Sequence, residues 1–422
     1  MPGVAVWAAW LALLAVVALW GRALVEGGTN LKLGLPPFHA IVEVRVGPGT
    51  LVALAVAGLL VAVLPVAADR LGWRTLLAVG FVATVGWIVV LNGIEGTDGL
   101  VRGLESRDHE YPADVPAVDD LGPREFLRTF TARIDDYTTH VRGHPPGFLL
   151  LLWALAAVGF EGLWPAVVVC IVGGALAAPA VLAAVRAVAG EGLARRAMPF
   201  AVVAPAALWV GSSADGLYAG LGAVAVSLVV CAAAREPSRA ADALAIAGGV
   251  ALGGALLGSY GLVLLGLVPL PVLVRRRAWR PAALWAAGGA AVLGVFALAG
   301  FWWVDGLLTT RSEYHDGIAS LRPFAYFAVA NLATFATALG PATLTGLARL
   351  RDAALWSVVG GGLLAAAAAN LSGMSKGEVE RIWLPFAVWV LPAAAVLDRR
   401  RWWLAGQLGI AIAIQTWLIT GW

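Results

Sequence analysis

What most restricts this chain is a succession of apolar stretches, many close to twenty residues long. They fall roughly at 4–25, 49–68, 75–92, 147–161, 164–186, 197–212, 217–234, 241–258, 260–274, 283–302, 324–341, 353–371, 383–397 and 402–420. About twenty apolar residues make a helix that crosses the hydrocarbon core of a bilayer. In lipid each backbone amide must be satisfied within its own segment, so helices are the economical choice, and no strand alternation points to a barrel. Composition agrees: 60% of residues are hydrophobic and only 13% charged, against about 25% charge in soluble domains. These features predict an all-α polytopic membrane protein. The net charge of +3 comes from arginines at membrane edges and gives no reason to invoke nucleic acid. Cys170 and Cys231 lie in separate apolar runs and read as packed thiols. Residues 1–21 lack a basic start and a cleavage site, so they read as a first span and not a signal peptide.

The arginines between runs set an orientation. Sixteen of them fall in six short connections: 70/74, 186/195/196, 235/239, 275/276/277/280, 349/351 and 399/400/401. The alternate connections hold only Arg311, Arg322, Lys376 and Arg381. Positive charge favours the cytoplasmic side, which places the first set inside the cell and residues 93–146 outside a plasma membrane. One crossing then fits between that loop and Arg186, yet two apolar runs lie there. The short run 147–161 is therefore expected to dip into or lie along the outer leaflet, leaving about thirteen spans. The corresponding organisation is an N-terminal hairpin (1–74), a core (75–400) with its outer loop at 93–146, and a C-terminal helix (401–422).

That loop is the one long polar segment. From Asn92 to Gly147 it gathers eleven of the chain's 26 acids and three of its five histidines. Within it, Pro123 to Val141 carries Phe126, Leu127, Phe130, Ile134, Tyr137 and Val141 at helical spacing. This predicts one helix lying on the membrane surface with its aromatics among the headgroups.

Three motifs punctuate the outer side. His144-Pro145-Pro146-Gly147 opens an apolar helix directly after the loop. Ser212-Ser213-Ala214-Asp215-Gly216-Leu217-Tyr218 forms a short turn before another. Ser375-Lys376-Gly377-Glu378-Val379-Glu380-Arg381-Ile382-Trp383-Leu384-Pro385 places basic residues before an aromatic and a Leu-Pro. Their order and shared side resemble the GT-C glycosyltransferases, nearest the protein-mannosyltransferase and aminoarabinose-transferase branch, over roughly residues 75–400.

The resemblance implies a GT-C-like fold and inverting transfer of a sugar from a polyprenyl-phosphate donor to a hydroxyl of a glycan, lipid or protein at the outer face. It matches the general base to Asp98, although the family often has two adjacent acids there and this chain has one, between Glu95 and Glu105. Glu105 and the adjacent pairs Asp119-Asp120 and Asp135-Asp136 stay open for the role, Asp136 being eight residues before His144. A carboxylate beside the bilayer titrates near neutral pH. Lys376 and Arg381 are expected to hold the departing phosphate, since a guanidinium grips it with two donors and an ammonium as a point charge. Arg142 and His144 would contact phosphate or sugar, while Glu380 and Asp215 would bind substrate. Arg311 belongs to a lid at 305–323. His140 and His144 have i,i+4 spacing, but Pro145 interrupts the helix a metal pair needs. No metal site is assigned, and a divalent cation, Mg or Mn, is optional. A carrier or flippase of lipid-linked sugar, or a non-catalytic assembly subunit, are the alternatives. A carrier would need charges at the bilayer midplane and broken helices around a central site.

Overall fold

The computed structural model describes residues 2–211 and 213–420. Ser212, which begins the second motif, lies outside the described residues, as do Met1 and residues 421–422 at the ends of the two terminal segments.

Helices dominate. Among the described residues, nine are long and apolar enough to cross a membrane: Gly3–Glu26, Pro48–Arg70, Trp73–Glu95, Leu163–Ala189, Ala214–Ala233, Arg239–Leu256, Trp279–Leu298, Phe324–Arg349 and Ala353–Ser372. The expected count of about thirteen is not reproduced. Three of the other runs carry prolines and fold as pieces. Run 197–212 becomes the end of Glu191–Val202 plus Ala207–Val210, with Pro199 and Pro205 between and within them. Run 260–274 is a 3-10 segment, Tyr260–Leu267, followed by Leu270–Arg276. Run 383–397 is Leu384–Val390 followed by the 3-10 turn Leu391–Val396. Proline removes an amide donor and clashes with the preceding turn, so such segments cannot continue as one α-helix. The last run forms Arg400–Trp417. The chain is also not wholly α: Ala40–Val42 pairs antiparallel with Leu418–Thr420.

Helix ends are set by ordinary local chemistry. Ser238 Oγ accepts from the Ala241 amide and Asp352 Oδ1 from the Leu355 amide, each tying down a free donor at a helix start. Helices Arg239–Leu256 and Trp279–Leu298 meet through small residues. A Cβ on Gly249 would collide with the Trp285 carbonyl, so only glycine permits this approach.

The arginine-rich connections gather at one end. There Arg195 donates to the carbonyls of Ala68 (2.9 Å) and Leu71 (2.8 Å), and Arg196 to those of Ala395 (2.6 Å) and Leu397 (2.9 Å). Arg400 pairs with Asp69 at 2.6 Å. The polar segments gather at the other end, where Arg142 bonds Glu313 (2.5 Å) and the Lys376 amide donates to the Tyr314 hydroxyl (2.9 Å). Asp215 opens helix Ala214–Ala233 at this end, and Arg235 follows its far end. Twenty residues at 1.5 Å each separate the two by about 30 Å, one bilayer core.

Helix Gly147–Ala157 has eleven residues, which is roughly 16 Å and half a crossing. The Gly147 amide bonds the Leu257 carbonyl at the polar end. Residues 160–165 return beside residues 104–119 at that same end. The helix starts at the polar end and keeps to it, its Trp153 Nε1 donating to Asp119 Oδ1 at 3.2 Å.

The single helix expected from Pro123 to Val141 is broken into Pro123–Thr129, a 3-10 turn Ile134–Asp136 and Thr139–Arg142. Its aromatics are not headgroup anchors. Phe126 and Phe130 are fully buried, and Phe130 lies 5.4 Å from the Tyr137 ring and 5.6 Å from Phe301. The apolar face folds under the loop and pins it to the bundle, which keeps more area from water than a surface helix could. Truncating Phe130 to alanine is expected to destabilise the loop by about 3–5 kcal/mol, read as faster proteolysis within residues 93–146 while the spans stay intact.

Candidate functional site

The late polar turn is held from below by Asn331. Its amide donates to the Ser375 carbonyl (2.7 Å) and Asn370 Oδ1 (3.0 Å), while its own Oδ1 accepts from the Gly377 amide (3.1 Å). Trp383 Nε1 donates to Ser375 Oγ at 3.2 Å. With both strands of the turn fixed, the one-turn helix Val379–Ile382 delivers Glu380 and Arg381 into the protein, 1% and 5% exposed.

Arg381 is the node. One guanidinium nitrogen, Nη1, donates to Asp215 Oδ2 at 2.6 Å, and Nη2 donates to Glu378 Oε2 at 3.0 Å. Nη2 also faces His140 Nε2 at 3.4 Å. A guanidinium has no acceptor, so His140 Nε2 accepts, and the proton of the neutral ring is assigned to Nδ1. That nitrogen lies 2.7 Å from Glu110 Oε1, within donating distance. Residues 110, 140, 215, 378 and 381 thus come from three separated polar segments and meet at one membrane edge. Tyr111, next to Glu110, closes one side: its hydroxyl lies 3.2 Å from that of Tyr218 and its ring packs on Phe148 at 4.8 Å.

Burial dominates the electrostatics. It would raise the Glu378 carboxyl, but the Arg381 and Arg322 guanidiniums outweigh it and hold Glu378 below the ordinary carboxylate value. Glu380 has no hydrogen-bond donor on either oxygen, and burial pushes its carboxyl up to about 7. Burial likewise pulls His144 down to about 4, so at neutral pH it offers no positive charge.

The residues singled out from sequence divide. Arg381, Asp215 and Glu380 lie together in the cluster. Lys376 stands beside it, its Nζ donating to the Ala319 carbonyl at 2.8 Å. His144 packs near Tyr111 and Tyr218, with Nδ1 2.9 Å from the His140 carbonyl. Arg142 is turned away toward Asp135 (2.8 Å) and Glu313, and Arg311 is exposed on helix Trp303–Asp316. Asp98 and Glu105 are exposed, Asp98 on the short helix Thr97–Val101. Asp136 is exposed and paired with Arg133 at 3.0 Å. Sequence reasoning missed Glu110. The signal for it was Tyr111-Pro112, an apolar pair inside a polar stretch, which marks where the loop turns into the protein.

A cavity of about 740 Å³ is lined by Glu105, Arg107, Asp119, Trp153 and Phe160 among others. Pro112 and Ala113 on its wall belong to the 3-10 turn Tyr111–Asp114, which follows Glu110 in the chain. Among the described residues no three His, Cys, Asp or Glu side chains gather in a group that could hold a metal ion.

No family model and no curated protein matches this chain. Among solved structures it is similar to ArnT from Cupriavidus metallidurans in the apo state, with 18% identity and a TM-score of 0.45, over 75% of this chain and 61% of that one. The chain spans less than two thirds of that structure, and a likeness of this size carries no argument about fold or activity.

Proposed function

We propose that this protein is an integral-membrane glycosyltransferase that takes a sugar from a polyprenyl-phosphate donor and transfers it, with inversion, to an acceptor hydroxyl. The reading rests on the order of the three motifs. The observation that carries it furthest is the seat of Arg381 between Asp215, Glu378 and His140, which joins the acidic loop to the late basic turn. The arginine-rich end, by its charge bias, is the cytoplasmic one, so the cluster faces outward from a plasma membrane.

In this reading Arg381, with Lys376 nearby, stabilises the phosphate as its bond to the anomeric carbon breaks, in a site shielded from water where such charge acts strongly. The acceptor hydroxyl loses its proton to a carboxylate of the acidic loop. Glu110 is the loop acid in contact with the cluster, aligned by His140, and we assign it the role for which the sequence offered Asp98, Glu105 or Asp136. Asp215 orients Arg381. A carrier is disfavoured because the charges crowd one membrane edge.

The experiment is turnover of a radiolabelled polyprenyl-phosphate sugar by membranes carrying wild-type, Glu110→Gln or Asp98→Asn protein. Transfer falling at least a hundredfold in Glu110→Gln, with Asp98→Asn within about threefold of wild type, supports the assignment. The reverse order returns the role to Asp98, and donor movement without cleavage rejects the enzyme.

Glu380 gives this site a pH dependence. Its folded-state value near 7 stands above the ordinary 4.5. Its neutral form is therefore the stable one, with that stabilisation complete below pH 4.5 and lost as pH rises through 7. The melting temperature is expected to fall between about pH 4.5 and 7, and Glu380→Gln to flatten that fall; an unchanged slope in the variant contradicts it.

A further inference from the structure

Glu378 stands at the mouth of the cluster in an unusual way. Its backbone is left-handed (φ 61) although it is not glycine, a conformation that a side chain disfavours. Its two oxygens go to two different arginines: Oε2 to Arg381 Nη2 at 3.0 Å, and Oε1 to Arg322 Nη2 at 3.4 Å. Both guanidiniums are deeply buried, with side chains 6% and 4% exposed, whereas the Glu378 side chain is 15% exposed. Arg322 is fixed independently by the carbonyls of Leu31 (3.1 Å), Lys376 (2.5 Å) and Lys32 (3.3 Å), and Arg381 by Asp215. The two cations would keep their places without the carboxylate.

Two fixed guanidiniums sharing one small anion is the arrangement that suits a phosphate. Phe324, which follows Arg322 by two residues, and Leu371 near the start of the turn are exposed apolar side chains, a surface over which a lipid chain can lie. We infer that Arg322 and Arg381 form the binding site for the phosphate of an anionic lipid, and that the Glu378 carboxylate occupies it until the phosphate displaces it. This deepens the glycosyltransferase reading by naming how the donor's head is admitted. It depends on that reading only for the identity of the lipid.

Displacement requires no covalent step. The entering phosphate takes the two guanidinium positions, and the carboxylate swings to solvent. The left-handed turn holding Glu378 in place relaxes as it leaves. A free phosphate has the same head but gains nothing from the apolar surface, so the lipid is the favoured source.

The test is equilibrium binding of decyl phosphate and of inorganic phosphate to the purified full-length protein in detergent, with no turnover required. Two variants are compared with wild type. Glu378→Gln removes the charge and keeps the shape. Glu378→Gly removes the whole side chain and suits the left-handed backbone, which guards against misfolding. Decyl phosphate binding at least tenfold tighter in both, with inorganic phosphate gaining less, supports the inference. Equal gains for the two probes keep the displaced carboxylate but overturn the lipid as its source. Binding no tighter than wild type overturns the proposal, as does loss of folding in both variants, since a displaceable group cannot be indispensable. Tighter binding without any sugar transfer by the wild type leaves this inference standing and removes the enzymatic reading.

Discussion

Replacing Arg381 with alanine is expected to abolish sugar transfer and to destabilise the protein by about 3–5 kcal/mol, the usual cost of removing one partner from a buried ion pair. Asp215 and Glu110 are 4% and 5% exposed, and without the guanidinium Asp215 faces no opposite charge at 2.6 Å. His140 Nε2 loses a donor as well. Stability and chemistry are separated by a second variant. Arg381→Met combined with Asp215→Asn removes both charges together, and a neutral pair of similar shape is tolerated far better than a lone ion. The double variant should regain most of the lost melting temperature, measured in detergent, while transfer remains below about one hundredth of wild type. Recovery of transfer along with stability shows that Arg381 acts only as a structural tie.

The second large effect is expected in the membrane interior. Helix Phe324–Arg349 breaks at Gly340 (φ 74), followed by Pro341. A break there frees backbone groups that lipid cannot satisfy. Gln407, fully buried on helix Arg400–Trp417, repairs it: Nε2 donates to the Leu339 carbonyl at 3.0 Å and Oε1 accepts from the Ala342 amide at 3.3 Å. Gln407→Leu leaves both groups unpaired and is expected to cost about 2–6 kcal/mol at 1–3 kcal/mol for each. Gly340→Ala should be as damaging, because its Cβ would run into Gln407 Oε1 and because the left-handed backbone disfavours a side chain. Monodispersity and melting temperature of the two variants check this, with Gln407→Glu as a gauge of how much charge the break admits. Near-normal behaviour of Gln407→Leu implies that the break is hydrated. The repair also bears on a transport reading, since the polar side chain at this broken helix is engaged by the backbone it mends.

How far the sequence revealed these features depends on their physics. The crossings were legible because lipid demands uninterrupted apolar helices, and the run at 147–161 was legible as too short for a full crossing, since its helix Gly147–Ala157 has eleven residues. The runs at 197–212, 260–274 and 383–397 show the limit. Hydropathy reports burial from water and says little about backbone continuity, which is lost at Pro205, Pro269 and Pro392. The loop shows the same division. Phe126, Leu127, Phe130, Ile134, Tyr137 and Val141 are all buried, so their shared face was real, yet the backbone beneath them turns twice and the face packs on protein instead of lipid. At the site, Arg381 and Asp215 stood out because charge beside a span is rare. Glu110 did not, being one acid among eleven, and only the fold distinguishes it by bringing it to His140.

In the proposed reading the acidic loop and the late basic turn form one site for the phosphate end of a lipid. The most direct measurement is photo-crosslinking of a diazirine-bearing polyprenyl phosphate to the purified protein, with labelled peptides mapped by mass spectrometry. Adducts are expected in residues 372–383 and in residues 108–144 from the same probe, both suppressed by Arg381→Met combined with Asp215→Asn. Adducts confined to the lipid-facing surfaces of helices Gly3–Glu26 and Trp279–Leu298, unaffected by that substitution, would contradict it.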